Sequence, residues 1–195
     1  AVAVSRAYAG DTIYLLNGTW NNEPSIIFLH SGIDVVPITL TAYTGTPILD
    51  GVDNTIVGAI LIPDNISHIT ISNLKIKRYK CIIGFDVSIA SVSMGSHVHI
   101  SDCEFSDTPY NGLSDAWGIM YLSGLNSHYN ILENCILYNS GWNTIGIRGN
   151  RNSGSGVPST HIMIRNNYIY NSNEHAGIDI FGNADYITID NNEYY

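Results

Sequence analysis

Arg148, Glu174, His175 and Asp179 are the residues in this chain best suited to joint chemistry. A carboxylate offers oxygen to a hard cation. Histidine as a residue type trades protons near neutrality, and arginine presents a planar fork to a carboxylate. Upstream, Tyr110, Asp115, Trp117, Tyr121 and Trp142 add aromatic faces and another carboxylate. Sugars stack on aromatic faces and hydrogen-bond to charged groups, so the set suits a saccharide groove. The plainer alternative is that Trp117 and Trp142 cover structural edges and Arg148 pairs with Asp179 or Glu174.

A repeat is what could bring such scattered residues together. "ITISNLKI", "VHISDCEF", "ILENCIL", "IMIRNNYI" and "ITIDNNEY" align on Asn73, Asp102, Asn134, Asn166 and Asn191, spaced 29, 32, 32 and 25 residues apart. Two residues before each anchor stand Ile71, Ile100, Leu132, Ile164 and Ile189. Four before stand Ile69, Val98, Asn130, Ile162 and Ile187, where only Asn130 interrupts an apolar column. Alternation of this kind predicts strands with one buried face. The period predicts a solenoid. A second apolar segment follows in each repeat: Cys81–Val87, Gly118–Gly124, Thr144–Asn150 and Gly177–Asn183. Several strands per repeat, stacked in register, predict an all-β parallel β-helix occupying residues 1–195 as one domain. The anchors predict a left-handed bend in every coil, since Asn tolerates positive φ better than most residues.

In register, Gly84, Tyr121, Gly146 and Asp179 form one outward column and Asp86, Ser123, Arg148 and Phe181 the next. Cys103 and Cys135 follow successive anchors, so they stack inside the coil as buried free thiols. The three cysteines make neither a disulfide framework nor a metal-ligand spacing.

Composition narrows the function. The chain has 195 residues, 45% hydrophobic and 13% charged, with a formal net charge of −9. That balance argues against a nucleic-acid partner, and no apolar run reaches the length of a membrane span. The polar Tyr/Asn/Ser-rich make-up suits a secreted, extracellular protein. Half of the 8 basic residues crowd into "KIKRYK": Lys75, Lys77, Arg78 and Lys80. They form either a solvated flank offsetting nearby acids or a docking patch for an anionic polymer centred on Lys77 and Lys80. "GNRNSGSGVPST" (149–160) is expected to be a mobile lip between coils. The last coil stops at "NNEYY", which suggests a longer native chain or a partner over an open edge.

The lead-in "GDTIYL.NGTW", then "PITLTAY.G.PILDG", then "ITISNLKI", resembles right-handed parallel β-helix proteins of the pectate-lyase-like superfamily. It is most similar to the entrance of family 9 pectate lyases and the chondroitinase B/alginate lyase group. The resemblance implies a right-handed solenoid with a short N-terminal cap. It also implies a polysaccharide lyase that removes the proton alpha to a uronate carboxylate, with Ca²⁺ neutralising that carboxylate. On this reading Arg148, His175 and Asp179 are the catalytic candidates, with Arg148 also suited to gripping a substrate carboxylate. Asp115, Glu174 and Asp179 are the Ca²⁺ candidates. Tyr110, Trp117, Tyr121, Trp142, Lys77 and Lys80 are the substrate-binding candidates. The paired arginines around a proline of family 1 pectate lyases are absent, as are the Asn-Thr-Asp, Asp-Asp, Gly-His-Gly and Arg-Ile-Lys motifs of polygalacturonases. A lyase acting on acidic polysaccharide, a non-catalytic carbohydrate-binding or adhesin module, and a structural subunit stacking end to end into fibres all stay open.

Overall fold

The computed structural model describes residues 2–56, 58–83, 95–109, 118–123, 127–148, 159–173, 176–182 and 184–195; the side chains of Tyr121, Ser123, Arg148, Ser159 and Phe181 stand outside the description. A one-turn helix, α1 (Val2–Ser5), precedes coils of three short strands. The first coil contributes β1 (Thr12–Leu15), β2 (Thr19–Asn21) and β3 (Ile26–Ile27), and the second β4 (Ile38–Ala42), β5 (Ile48–Asp50) and β6 (Gly58–Leu61). The third has β7 (Ser67–Ser72), β8 (Lys75–Lys77) and β9 (Cys81–Ile83), and the fourth β10 (Ser96–Ser101), β11 (Glu104–Ser106) and β12 (Met120–Ser123). The fifth has β13 (Ile131–Glu133), β14 (Ile136–Ser140) and β15 (Ile145–Arg148), and the sixth β16 (Ser159–Arg165), β17 (Tyr168–Ser172) and β18 (Ile178–Phe181). β19 (Ala184–Asp190) and β20 (Glu193–Tyr194) begin a seventh. Each strand pairs in parallel with its counterparts one coil away, giving three sheets that run the length of the stack. This is the parallel β-helix that the repeat predicts.

The core is built mainly of Ile, Leu, Val and Phe contributed by the inward residues of the stacked strands. Ile38, Ile69, Val98 and Ile162 stack from the first sheet; Leu49, Ile76, Phe105, Leu137 and Ile169 stack from the second. β-branched and aromatic side chains suit such a pleated, buried wall. At the N-terminal end Val4 and Ala7 are buried and α1 packs against β3, as expected of a cap. Cys81, Cys103 and Cys135 are buried free thiols, and burial pushes Cys81 up to about 12. No helix among the described residues is long and apolar enough to cross a membrane.

The anchors behave as their chemistry predicts. Asn73, Asp102, Asn134, Asn166 and Asn191 all take φ between 50° and 58°. Each bend splits the aligned segment into a first-sheet strand and a second-sheet strand. The coil therefore holds three strands, and Lys75–Lys77 belong to the third coil. Asn191 donates to Asn166 Oδ1 at 2.7 Å, linking the last two anchors side chain to side chain.

A second column of left-handed residues carries no Asn. His68, His97, Tyr129, His161 and Tyr186 all have φ between 54° and 59°. Their rings stack along the axis at 4.4, 5.0, 4.7 and 4.8 Å between successive centroids. Ring stacking offsets the steric cost of αL for these bulky residues. Burial first, then neighbouring His68 and His128, hold the His97 imidazole below its usual pKa; Asp34 pulls the other way. The unfolded chain therefore takes up the His97 proton first, and folding stability falls as pH drops below about 6.5. Asp64, which burial pushes up to about 6, gives the opposite slope. Comparing wild type with His97→Tyr cancels that term. Tyr already holds two rungs of this column, so the variant should fold. Between pH 7 and pH 5 wild type should lose roughly 2 °C more in Tm than the variant. Parallel Tm-against-pH curves would refute the assignment.

Candidate functional site

The third sheet sets the flank that the sequence marks out. β12 pairs with β15 so that Tyr121 stands level with Gly146 and Ser123 with Arg148. β15 pairs with β18 so that Gly146 stands level with Asp179 and Arg148 with Phe181. The register of both columns thus holds over these three coils, with Arg148 and Asp179 on adjacent strands. Gly84 and Asp86 lie outside the described residues, as do Tyr110, Asp115, Trp117, Glu174 and His175. The loop 149–158 does too.

Asp179 is partly buried and accepts a 2.9 Å hydrogen bond at Oδ2 from Asn143 Nδ2. Asn143 is 1% exposed, and its Oδ1 is buried without a hydrogen-bond partner among the described residues. Trp142, beside it, is partly buried. Ser140 and Thr144 hold this turn through bonds to Asn143 O and Ser172. One oxygen of Asp179 is thereby anchored by a buried amide. Carboxylate oxygen is the donor type that Ca²⁺ takes. No group of three His, Cys, Asp or Glu gathers at metal-binding distance among the described residues.

The second sheet shows where the basic segment's charge goes. Arg78 grips Asp50 through two bonds, Nε to Oδ1 at 2.8 Å and Nη2 to Oδ2 at 2.6 Å. Lys77 Nζ lies 3.4 Å from the same carboxylate. Lys75 pairs with Glu104, which also accepts from Tyr138 Oη at 2.6 Å. Lys80 is partly buried in the turn after β8 and donates its backbone N–H to Ile56 O at 3.0 Å. Three of the four cations are thus tied to carboxylates of adjacent coils, close to the flank reading. The acids involved are Asp50 and Glu104.

The first sheet carries a cluster that the sequence reading missed. Glu133, on β13, accepts from His99 Nε2 at 2.7 Å through Oε1 and from Arg165 Nε at 2.6 Å through Oε2. These residues come from three successive strands, β10, β13 and β16. Burial works against the Glu133 carboxylate, but the Arg165 and His99 bonds outweigh it and hold its pKa below the usual range. The signal was present in the sequence. Glu133 and Arg165 are 32 residues apart, one repeat period.

No family model matches this chain, and no curated protein matches it in sequence. Solved structures do match in fold. An alginate lyase from Paenibacillus sp. str. FPU-7 superposes with a TM-score of 0.71 at 17% identity, over 100% of this chain and 72% of that one. The PL6 family alginate lyase AlyGC gives 0.62 at 17% identity, over 98% of this chain and 26% of that one. A mannuronic acid specific family 6 lyase from human gut microbiota gives 0.57 at 13% identity, over 98% and 49%. At these identities the likeness establishes the shared β-solenoid architecture.

Proposed function

We propose that this protein is an extracellular, carbohydrate-active β-helix of polysaccharide-lyase type that acts on an acidic polysaccharide by β-elimination. The observation that carries the reading is the superposition of the whole chain on an alginate lyase with a TM-score of 0.71. The third sheet supports it, because its register sets Tyr121 level with Gly146 and Asp179, and Arg148 on the strand adjacent to Asp179.

In this reading Arg148 grips the uronate carboxylate or serves as base, His175 is the second base candidate, and Asp179 is fixed by Asn143. Asp115, Glu174 and Asp179 are the proposed Ca²⁺ ligands. When bound, the ion would neutralise the substrate carboxylate and ease loss of the neighbouring proton. Tyr110, Trp117, Tyr121 and Trp142 would offer faces to the sugar rings. Lys77 and Lys80 would add attraction for the polymer, Lys77 while sharing Asp50.

The test is direct. Incubate the protein with alginate, pectate and chondroitin, with and without Ca²⁺, and follow ultraviolet absorbance of the unsaturated product. A rise that depends on polymer and enzyme supports the lyase. Absence of product on all of them would shift the reading to a carbohydrate-binding module on the same scaffold.

A further inference from the structure

Among the described residues, the two outward columns of the first sheet carry no charge over the first three coils. Register sets Tyr14 level with Thr41 and Thr41 level with Ser72; in the column beside them Thr39 stands level with Thr70. Charged groups enter this face only in later coils, where Glu133 takes up both His99 and Arg165.

Two large aromatic groups stand on this uncharged face. Alternation along β1 turns Tyr14 outward, and alternation along β4 does the same for Tyr43, one residue past its end. The Tyr43 N–H donates to Leu15 O at 2.9 Å, so the ladder continues beneath it. The rings meet edge to face, with centroids 5.5 Å apart and planes at 82°. Such a contact covers one face of one ring and no face of the other. Tyr14 is 54% exposed and Tyr43 64%, so ring faces remain for a ligand. Beside them the hydroxyls are held in place. Thr41 Oγ1 and Ser72 Oγ share a 2.9 Å hydrogen bond, and Asn73 Nδ2 donates to them at 3.4 and 3.2 Å. A hydroxyl has one donor and two acceptor lone pairs, so both oxygens keep capacity for a further bond.

We propose that Tyr14 and Tyr43, with Thr41 and Ser72, form a non-catalytic binding site for an uncharged glycan of the β-1,4-linked glucan type. A sugar ring pairs an apolar C–H face with a rim of hydroxyls, and this surface offers the complement of both. Tyrosine presents a large apolar body with a polar tip. A β-1,4-linked glucose chain is a flat ribbon with its hydroxyls equatorial, so its C–H faces are broad and suit a flat sheet. Charge decides between glycan classes. The chain carries a formal net charge of −9, and this face holds no cation over these coils to offset repulsion of a polyanion. An uncharged polymer meets no such barrier. The site lies on a different sheet from the Arg148–Asp179 flank and needs no turnover, so it stands or falls independently of the lyase reading.

A cross-strand tyrosine pair also stabilises its sheet, and the experiment separates the two roles. Isothermal titration calorimetry follows cellohexaose binding to the full chain, beside hexamannuronate, at low and high salt. Wild type should bind cellohexaose with an affinity that salt leaves unchanged. Tyr14→Ala and Tyr43→Ala should each weaken it by about threefold to tenfold, the scale of one lost aromatic stack. Tyr168→Ala, which removes an exposed tyrosine from the second sheet, should bind as wild type does. Thermal melts by circular dichroism report whether each variant folds. Where one does not, the ring-proton NMR shifts of Tyr14 and Tyr43 in wild type decide: they move as cellohexaose is added, or the proposal falls. Absence of cellohexaose binding by wild type overturns the site. Unchanged affinity in both folded variants overturns its placement and leaves the pair a sheet contact. Salt-sensitive binding of hexamannuronate that the same two substitutions abolish overturns the uncharged class.

Discussion

Replacing Asn130 with valine should destabilise the protein by about 2–4 kcal/mol, although every other residue in its column is apolar. Ile69, Val98, Ile162 and Ile187 occupy that position in the other coils. By pattern alone the substitution restores the core. Asn130 is 1% exposed, and its amide is fully used. Oδ1 accepts the Val98 N–H at 2.9 Å, and Nδ2 donates to Gly95 O and Ser127 Oγ, each at 3.1 Å. β13 begins only at Ile131, so the side chain supplies the ladder bond that Val98 would otherwise lack. Valine would leave a buried N–H and a buried carbonyl unpaired, at about 1–3 kcal/mol each. Roughly 1 kcal/mol comes back from added apolar burial. Urea denaturation at constant m-value checks this. A variant as stable as wild type would mean that the backbone of coil five closes up to complete the ladder itself.

That case marks where the sequence stops being legible. Alternation identifies the faces, because the side-chain period of a strand is two and burial of one face fixes it. The anchors identify the bends, because Asn and Asp tolerate positive φ with their own side chains. His68, His97, Tyr129, His161 and Tyr186 make an equally regular bend column. Nothing local to a His or Tyr announces αL; what holds it is a ring stack between residues about thirty positions apart. Asn130 is the converse. It reads as a defect in a column, and it is a repair in a ladder.

The candidate sites divide in the same way. The Tyr121–Gly146–Asp179 and Ser123–Arg148–Phe181 columns were readable because apolar neighbours fixed the register of β12, β15 and β18. The His99–Glu133–Arg165 cluster was not, because alignment on apolar residues ignores which polar residues fall one period apart. His99 also sits one strand pair before Glu133, level with Ile131. A same-column search would therefore have found the Glu–Arg pair and missed the imidazole.

Substituting Arg78 by asparagine should destabilise the protein at pH 7, and the cost should largely vanish at low pH. Asn139 and Asn171 hold the equivalent bend in later coils with φ of 54°, so the variant keeps the left-handed turn and removes only the charge and its fork. Asp50 is 2% exposed, and its carboxylate is left with Lys77 and the 2.9 Å bond from Val52 N. Stranding a buried charge is what makes breaking such pairs expensive. Solvent around the exposed Arg78 fork and the remaining Lys77 both moderate the cost here. Burial raises the Asp50 pKa, but the Arg78 bond, the Val52 amide and the Lys77 charge outweigh it, so the group titrates below its usual 3.8. A depressed carboxylate stabilises the fold above its unfolded pKa and loses that contribution as pH falls through its folded pKa. Wild type and Arg78→Asn should therefore converge only once pH has fallen through the depressed folded pKa of Asp50, where the carboxyl is neutral in both. Adding Asp50→Asn to the variant should restore most of the loss at pH 7. A deficit that stays unchanged after Asp50 itself has been protonated, followed by its carboxyl NMR signal, would show that Arg78 acts by packing its stem, not by its charge. If the deficit behaves as expected, the concentration of positive charge at Lys75–Lys80 in an acidic chain has a structural cause: its cations staple the third coil to its neighbours.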